Sequence, residues 1–237
     1  MTGGLVIMPI SGVPEVRPGD RLAALIVDAA AGQETPLLDG DCIVVTQKIV
    51  SKAEGRLVAL DADDGDARRR LIEQESRRIL RRRDELIISE TAHGFVCANA
   101  GIDLSNVDDG TAALLPVDSD RSARDIRNDI RSRLGISVGI VVSDTFGRAW
   151  RRGLTDVAIG VAGLAGVVDL RGSTDAHGRE LHATEIAVAD EVASAAELAM
   201  GKAAGIPAAI VRGLDPAWFR EATVEELVRP PAEDLFR

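Results

Sequence analysis

Short apolar runs alternate with segments of helical spacing along the whole chain. The run over 5–10 reads as a strand, interrupted by Pro9 and stopped by the turn-forming pair Ser11-Gly12. A helix is predicted after Pro18-Gly19-Asp20, with Asp20 as the N-cap and Leu22, Leu25, Ile26 and Ala29 on one face. The turn Asp39-Gly40-Asp41 leads into 42–46, whose branched side chains suit a buried strand, and 57–60 reads as another. Over 67–83, Leu71, Ile72, Ile79 and Leu80 form a stripe among charges and predict one helix. Strands over 86–88 and 95–97 follow, joined by a turn containing Gly94, and 112–117 is apolar and extended. The fourfold spacing of Ile126, Ile130 and Leu134 predicts a helix over 118–134, closed by Gly135. A strand over 138–142 then ends on Ser143-Asp144-Thr145, and 157–164 reads as a glycine-bearing strand with bulges. An Ala-rich helix over 184–202 and a strand over 208–212 complete the pattern. From Asp215 the chain is rich in Glu and Pro, with Trp218 and Phe219 as aromatic anchors. The expected fold class is α+β: one compact mixed α/β unit over 1–214 and a docked C-terminal extension over 215–237.

Composition narrows what such a unit does. With 237 residues, 46% of them hydrophobic, the chain has material for a sizeable core, which excludes a disordered chain. Aromatics make up 3% and tyrosine is absent, so stacking platforms for bases are scarce. Against 28 basic residues stand 38 acidic ones, a net charge of -10 that repels polyanions. A general nucleic-acid or anionic-membrane binder is therefore excluded, while a local basic cleft remains open to a small phosphorylated ligand. The arginine-dense stretch from Arg68 to Arg83 is broken by Glu73 and Glu75 and reads as a solvated helical face. Cys42 and Cys97 sit in apolar runs without Cys-x-x-Cys spacing and are expected to be buried hydrophobes. No apolar run approaches the ~20 residues of a membrane span, and residues 1–12 lack the features of a signal peptide. A cytoplasmic location is expected.

Polar residues break the core-building pattern in four places. In Thr46-Gln47-Lys48-Ile49-Val50-Ser51-Lys52, a lysine beyond a strand offers a point charge to a phosphate, although two solvated lysines account for it equally simply. Asp103 and Asn106 flank Ser105 in a loop begun by Gly101; short oxygen side chains suit a hard cation, and an ordinary Asx turn is the plainer account. Ser143-Asp144-Thr145-Phe146-Gly147-Arg148-Ala149-Trp150-Arg151 puts a carboxylate and a hydroxyl at a strand tip, with arginines just beyond, a set suited to anions and metal. Its plainer account is a capped turn into a helix. The loop Gly12-Val13-Pro14-Glu15-Val16 offers backbone N–H groups ahead of a helix. Neither a Walker motif nor Gly-x-Ser-x-Gly occurs, and His93, His177 and His182 share no metal-ligand spacing.

Taken together, these segments resemble the coenzyme F420:L-glutamate (gamma-glutamyl) ligase family. The matching stretches are Met8-Pro9 with Gly12-Val13-Pro14-Glu15, Thr46 through Arg56, Gly94 through Val107, and Asp144 through Arg151. The similarity continues through Gly160-Val161-Ala162-Gly163-Leu164 and Ala189-Asp190-Glu191 to Val211-Arg212-Gly213, and so covers roughly residues 5 to 214. The resemblance implies an intertwined homodimer and a ligase that uses GTP and divalent metal to add L-glutamate to the coenzyme F420 precursor through an acyl phosphate. Only this ligase half is expected, without the flavin-binding domain that some members append. It assigns Asp103 and Asp144 to one divalent cation and Thr145 to a second, Mg2+ or Mn2+, with K+ as a further candidate. Val13, Pro14, Glu15, Val16, Gln47, Lys52 and Asn106 would bind GTP. Arg148 and Arg151 are expected to hold the γ-phosphate or the anionic tail of the substrate. Lys202 stands where the family pattern has an acidic residue, a departure that bears on the metal count. The partners expected are GTP, L-glutamate and the precursor, with neither nucleic acid nor membrane. A metal-dependent phosphotransferase or hydrolase acting on nucleotide without glutamate, and a non-catalytic binding protein, stand as the alternatives.

Overall fold

The strand-forming runs pair into one five-stranded sheet at the centre of a computed structural model, which describes residues 4–61, 63–105 and 107–235. In chain order the first elements are β1 (Val6–Ile10), α1 (Leu22–Gly32), β2 (Cys42–Thr46), α2 (Gln47–Ala53), β3 (Leu57–Ala59) and α3 (Gly65–Glu75). Next come β4 (Ser76–Arg83), β5 (Leu86–Thr91), β6 (Val96–Ala98), β7 (Thr111–Ala113) and α4 (Ser119–Leu134). The last are β8 (Gly139–Arg148), β9 (Arg151–Ala162), β10 (Val168–Asp169), β11 (Glu185–Ile186), α5 (Val188–Met200) and β12 (Ala208–Arg212).

The main sheet runs in the order β1-β12-β2-β8-β9, with β2 and β8 parallel and the other pairs antiparallel. Side chains alternate across a strand, and here both faces are covered. Ile43, Val45, Ile140 and Val142 pack with Leu22, Ile26, Ile49, Ile126 and Ile130 from α1, α2 and α4. Cys42, Val44 and Val141 pack with Val188, Val192, Ala196 and Met200 from α5. Burying each of these branched side chains contributes about 1.5–3 kcal/mol, and burial on both faces is why β2 reads as an unbroken apolar run. A second, smaller sheet of β4, β5 and β6 has its own core of Ile72, Ile87 and Ala100. Among the described residues no helix is long and apolar enough to cross a membrane.

Three expectations need correction. The helix expected over 67–83 stops at Glu75, and Ser76–Arg83 is a strand paired antiparallel with β5, with register shifts between Ser76 and Arg78 and between Ile79 and Arg81. Pairing with β5 and burial of Ile79 on the small core override the local preference of arginine for helix. Asp20 does not cap α1: Arg21 holds the N-cap position without a side-chain bond, while the Asp20 carboxylate accepts the Arg17 N–H at 2.7 Å and closes the preceding turn. The segment after Asp144 forms the long β8–β9 hairpin, with Arg148 opposite Arg151 at its tip, because β8 continues five residues past Ser143 instead of turning into a helix. The helix over 118–134 does form, with the Asp118 carboxylate on the Arg121 N–H and Gly135 left-handed at φ 71°. Beyond residue 215 the chain lies on the body: Trp218 C=O accepts the Ala165 N–H at 2.8 Å, and Glu226 accepts the Gly166 and Val167 N–H groups.

Candidate active site

Parallel β2 and β8 end on the same side of the sheet, with Thr46 level with Ser143. Sheets of this kind bind ligands beyond the carboxyl ends of their strands. From β2 the chain passes directly into α2, where Lys48 and Lys52, four residues apart, share a face. Gln47 and Ser51 point elsewhere. Gln47 Nε2 donates to Ser51 Oγ at 2.7 Å and to the Leu114 carbonyl at 2.9 Å, and Ser51 Oγ donates to the same carbonyl at 2.6 Å. The amide of Gln47 is thus spent on anchoring α2.

On β8, alternation separates Asp144 from its neighbours. A register shift sits between Val142 and Ser143, where Gly160 and Ala158 face them. Val142 and Phe146 belong to the face of α1, α2 and α4, so Asp144, between them, lies on that face, while Ser143 and Thr145 lie on the face of α5. There Ser143 Oγ donates to Asp156 Oδ2 at 2.9 Å, and Thr145 Oγ1 donates to Asp156 Oδ1 at 2.7 Å. Lys202, just past the end of α5, donates from Nζ to Thr145 Oγ1 at 2.8 Å.

Asp103 arrives from the small sheet. Asn99, Ala100 and Gly101 have φ of 51°, 55° and 71°, a left-handed run that non-glycine residues adopt at a cost of about 1–3 kcal/mol each. The run is held by Ile87 N–H on Asn99 Oδ1 at 3.1 Å and by burial of Ala100. Asp103 then exchanges backbone hydrogen bonds with Ala113 at 3.0 and 2.9 Å. Its side chain accepts the Ser105 N–H at 2.7 Å and pairs with Lys48 Nζ at 2.8 Å, and Lys48 also donates to Ser105 Oγ at 3.0 Å.

The two acids differ electrically. Burial raises the Asp103 carboxyl, but the bonds from Lys48 and Ser105 outweigh it and hold the group below the ordinary carboxylate range. Burial pushes Asp144 up to about 7; the Thr145 N–H and the Lys202 charge oppose this, and the Asp103 and Asp156 charges add to it. Among the described residues no lysine or arginine pairs directly with Asp144, and its neighbour Cys97 is a buried thiol pushed up to about 12, mainly by burial. A half-buried carboxylate within electrostatic reach of a second one is a pair that a cation would relieve. Among the described residues no three His, Cys, Asp or Glu side chains gather around a metal-sized site.

A cleft of about 430 Å³ opens beside these groups, lined by Val13, Pro14, Glu15 and Val16 and by Lys48, Lys52 and Lys202. Lys52 forms an ion pair with Glu15 across it. The cleft thus brings together the Gly12 loop, Lys52 and Lys48. It does not take in Gln47, and Arg148 and Arg151 sit exposed at the β8–β9 tip, away from its lining. Asn106 lies outside the described residues. Lys48 was recognisable from its spacing to Lys52; Asp156 was not, because only strand register brings it to Thr145. A second cleft of about 450 Å³ between α1 and α4, lined by Asp125 and Asp129 among others, touches none of these residues.

A family model described as F420-0:Gamma-glutamyl ligase matches residues 12–213. The chain is 44% identical to the coenzyme F420:L-glutamate ligase of Methanothermobacter thermautotrophicus, over 99% of each chain. It is 41% identical to the protein of that name from Methanopyrus kandleri, over 99% of this chain and 100% of the relative. With the Archaeoglobus fulgidus protein, also a coenzyme F420:L-glutamate ligase, it shares 38% identity over 98% of this chain and 96% of the relative.

Proposed function

This chain belongs to the F420-0:gamma-glutamyl ligase family, and on that premise we propose that it joins L-glutamate to the coenzyme F420 precursor at the expense of GTP. It is an enzyme of the ligase class. The observation that carries the mechanism is a cleft lined by Lys48, Lys52 and Lys202, with Asp103 paired to Lys48 and Asp144 within electrostatic reach of Asp103 and Lys202.

A carboxylate resists attack by an amine at neutral pH, so its oxygen must first be made a leaving group. In the proposed sequence the carboxylate of the precursor attacks the γ-phosphorus of GTP, and the β–γ bridging P–O bond breaks as GDP departs. The amino nitrogen of glutamate then attacks the acyl carbon, the C–O bond to phosphate breaks, and the nitrogen gives up a proton. The same steps on a terminal glutamate extend the chain through gamma linkages.

Lys52, at the cleft wall, holds negative charge on the triphosphate. Lys48 fixes Asp103 by its ion pair and adds positive charge to the same wall. Residues 13–16 supply the opposite wall. One divalent cation, Mg2+ or Mn2+, fits Asp103 and Asp144, and when bound it neutralises charge on the phosphates. Arg148 and Arg151, away from the cleft lining, are assigned to the anionic tail of the acceptor rather than to the γ-phosphate. An intertwined homodimer is part of the proposal and is supported by the exposure of Trp150 (82%) and Leu154 (66%) on the β8–β9 hairpin.

The test measures phosphate release with GTP, Mg2+ or Mn2+, precursor and glutamate, omitting each in turn. Dependence on both acceptor and glutamate is expected. Release without glutamate would identify a nucleotide phosphotransferase or hydrolase instead, and no release in any mixture would identify a binding protein.

A further inference from the structure

We propose that the ammonium group of Lys202 serves as a built-in cation at Thr145, so that the site takes one divalent ion, at Asp103 and Asp144, and not two. The inference rests on the divalent-cation reading of those two acids and deepens it. Thr145 was the expected contact of a second divalent ion, and its hydroxyl is already engaged. It receives the Lys202 N–H at 2.8 Å and gives its own proton to Asp156 Oδ1 at 2.7 Å. A neutral hydroxyl that already receives a lysine N–H has no charge to set against the repulsion between that lysine and a divalent ion, whereas Asp103, although paired with Lys48, is a carboxylate with Asp144 beside it.

The surrounding charges agree. Asp156 is buried, 3% exposed, and among the described residues no lysine or arginine pairs with it directly. Its two oxygens are satisfied by Ser143 and Thr145, and Lys202 is the cation at the far end of that hydroxyl relay. Strand alternation turns Asp144 toward the α2 face of β8 and Thr145 toward the α5 face, while the Lys202 and Asp156 charges still reach Asp144. Lys202 also lines the cleft proposed for GTP, where a fixed positive charge performs part of what a second metal would do for a triphosphate.

Crystals of the full chain grown with Mn2+ and GDP, read by anomalous difference maps, count the ions by position. The expected result is one Mn2+ per chain, at Asp103 and Asp144. Lys202→Glu and Lys202→Asp alter an exposed side chain beyond α5 and are expected to admit a second Mn2+ at Thr145. Two ions in the unaltered chain would overturn the proposal and leave the divalent-cation reading standing. No ion at Asp103 and Asp144 would overturn both. A single ion in the unaltered chain and in both variants would show that Lys202 is not what excludes the second.

Discussion

Asp144 is carried by β8 one residue past its last pair with β2, where the strand stays paired with β9 and continues out of layers of buried Ile and Val. Asp103 is carried by a left-handed run at the edge of a small sheet whose core contains three buried residues, Ile72, Ile87 and Ala100. The strand sets its acid in place through ordinary extended pairing with β9 and, among the described residues, leaves it without a direct ionic partner. The turn adopts unfavourable dihedrals and secures its acid through local bonds to Lys48, Ser105 and Ala113. A carboxyl raised by burial therefore stands within electrostatic reach of one held low by its local bonds. Asp144→Ala and Gly101→Ala each disturb one of these two parts.

The largest effect is expected from Asp144→Ala. The strand does not need this carboxylate, so circular dichroism should be unchanged while turnover falls by at least ~10²-fold. A near-normal rate would remove Asp144 from the metal site. Lys52→Ala acts on the nucleotide side only: the GTP concentration for half-maximal rate should rise about tenfold, equivalent to about 1.4 kcal/mol, with the glutamate requirement unchanged. Equal shifts for both substrates would discard its phosphate role. Gly101→Ala tests the turn. The new Cβ would stand 2.8 Å from the Leu115 side chain in a backbone at φ 71°. A loss of about 1–3 kcal/mol in unfolding free energy is expected, together with weaker Mn2+ binding although both carboxylates remain. Unchanged stability would show that the turn is not strained.

The smallest effect is a slope. The folded value of Asp144, about 7, lies above the ordinary carboxylate range, so between about pH 4 and 7 the folded state holds a proton that the unfolded chain has lost. Its contribution to stability is fully present at low pH and is lost as pH rises through 7. Thermal melts of metal-free protein should therefore decline across that window, and Asp144→Asn should flatten the decline. A slope unaltered by the substitution would assign it to other groups.

The central sheet was legible in the sequence because strands buried on both faces leave uninterrupted runs of Val and Ile, as over 42–46 and 138–142. The stretch over 76–83 was not, since long arginine side chains are at home in helix and strand alike, and only the partner β5 decides between them. The acids at 103 and 144 stood out by breaking apolar runs. The ion pair of Lys48 with Asp103 followed from geometry alone, as did the place of Asp156, thirteen residues from Ser143 in sequence and bonded to it across a hairpin. Gln47 shows the reverse: its position in the motif pointed to a ligand, and its side chain is occupied in holding α2 to Leu114.

The position of β12 in the sheet order has a consequence for how the chain is made. This strand, residues Ala208–Arg212, is inserted between β1 and β2, two of the first strands to be synthesised. While the chain is growing from the ribosome, those early strands have no neighbour for their facing edges, and their buried-type side chains stay open to solvent or to chaperones. The central layer can close only after residue 212 has emerged, so the frame of the site forms long after the two strands that flank β12 have been made.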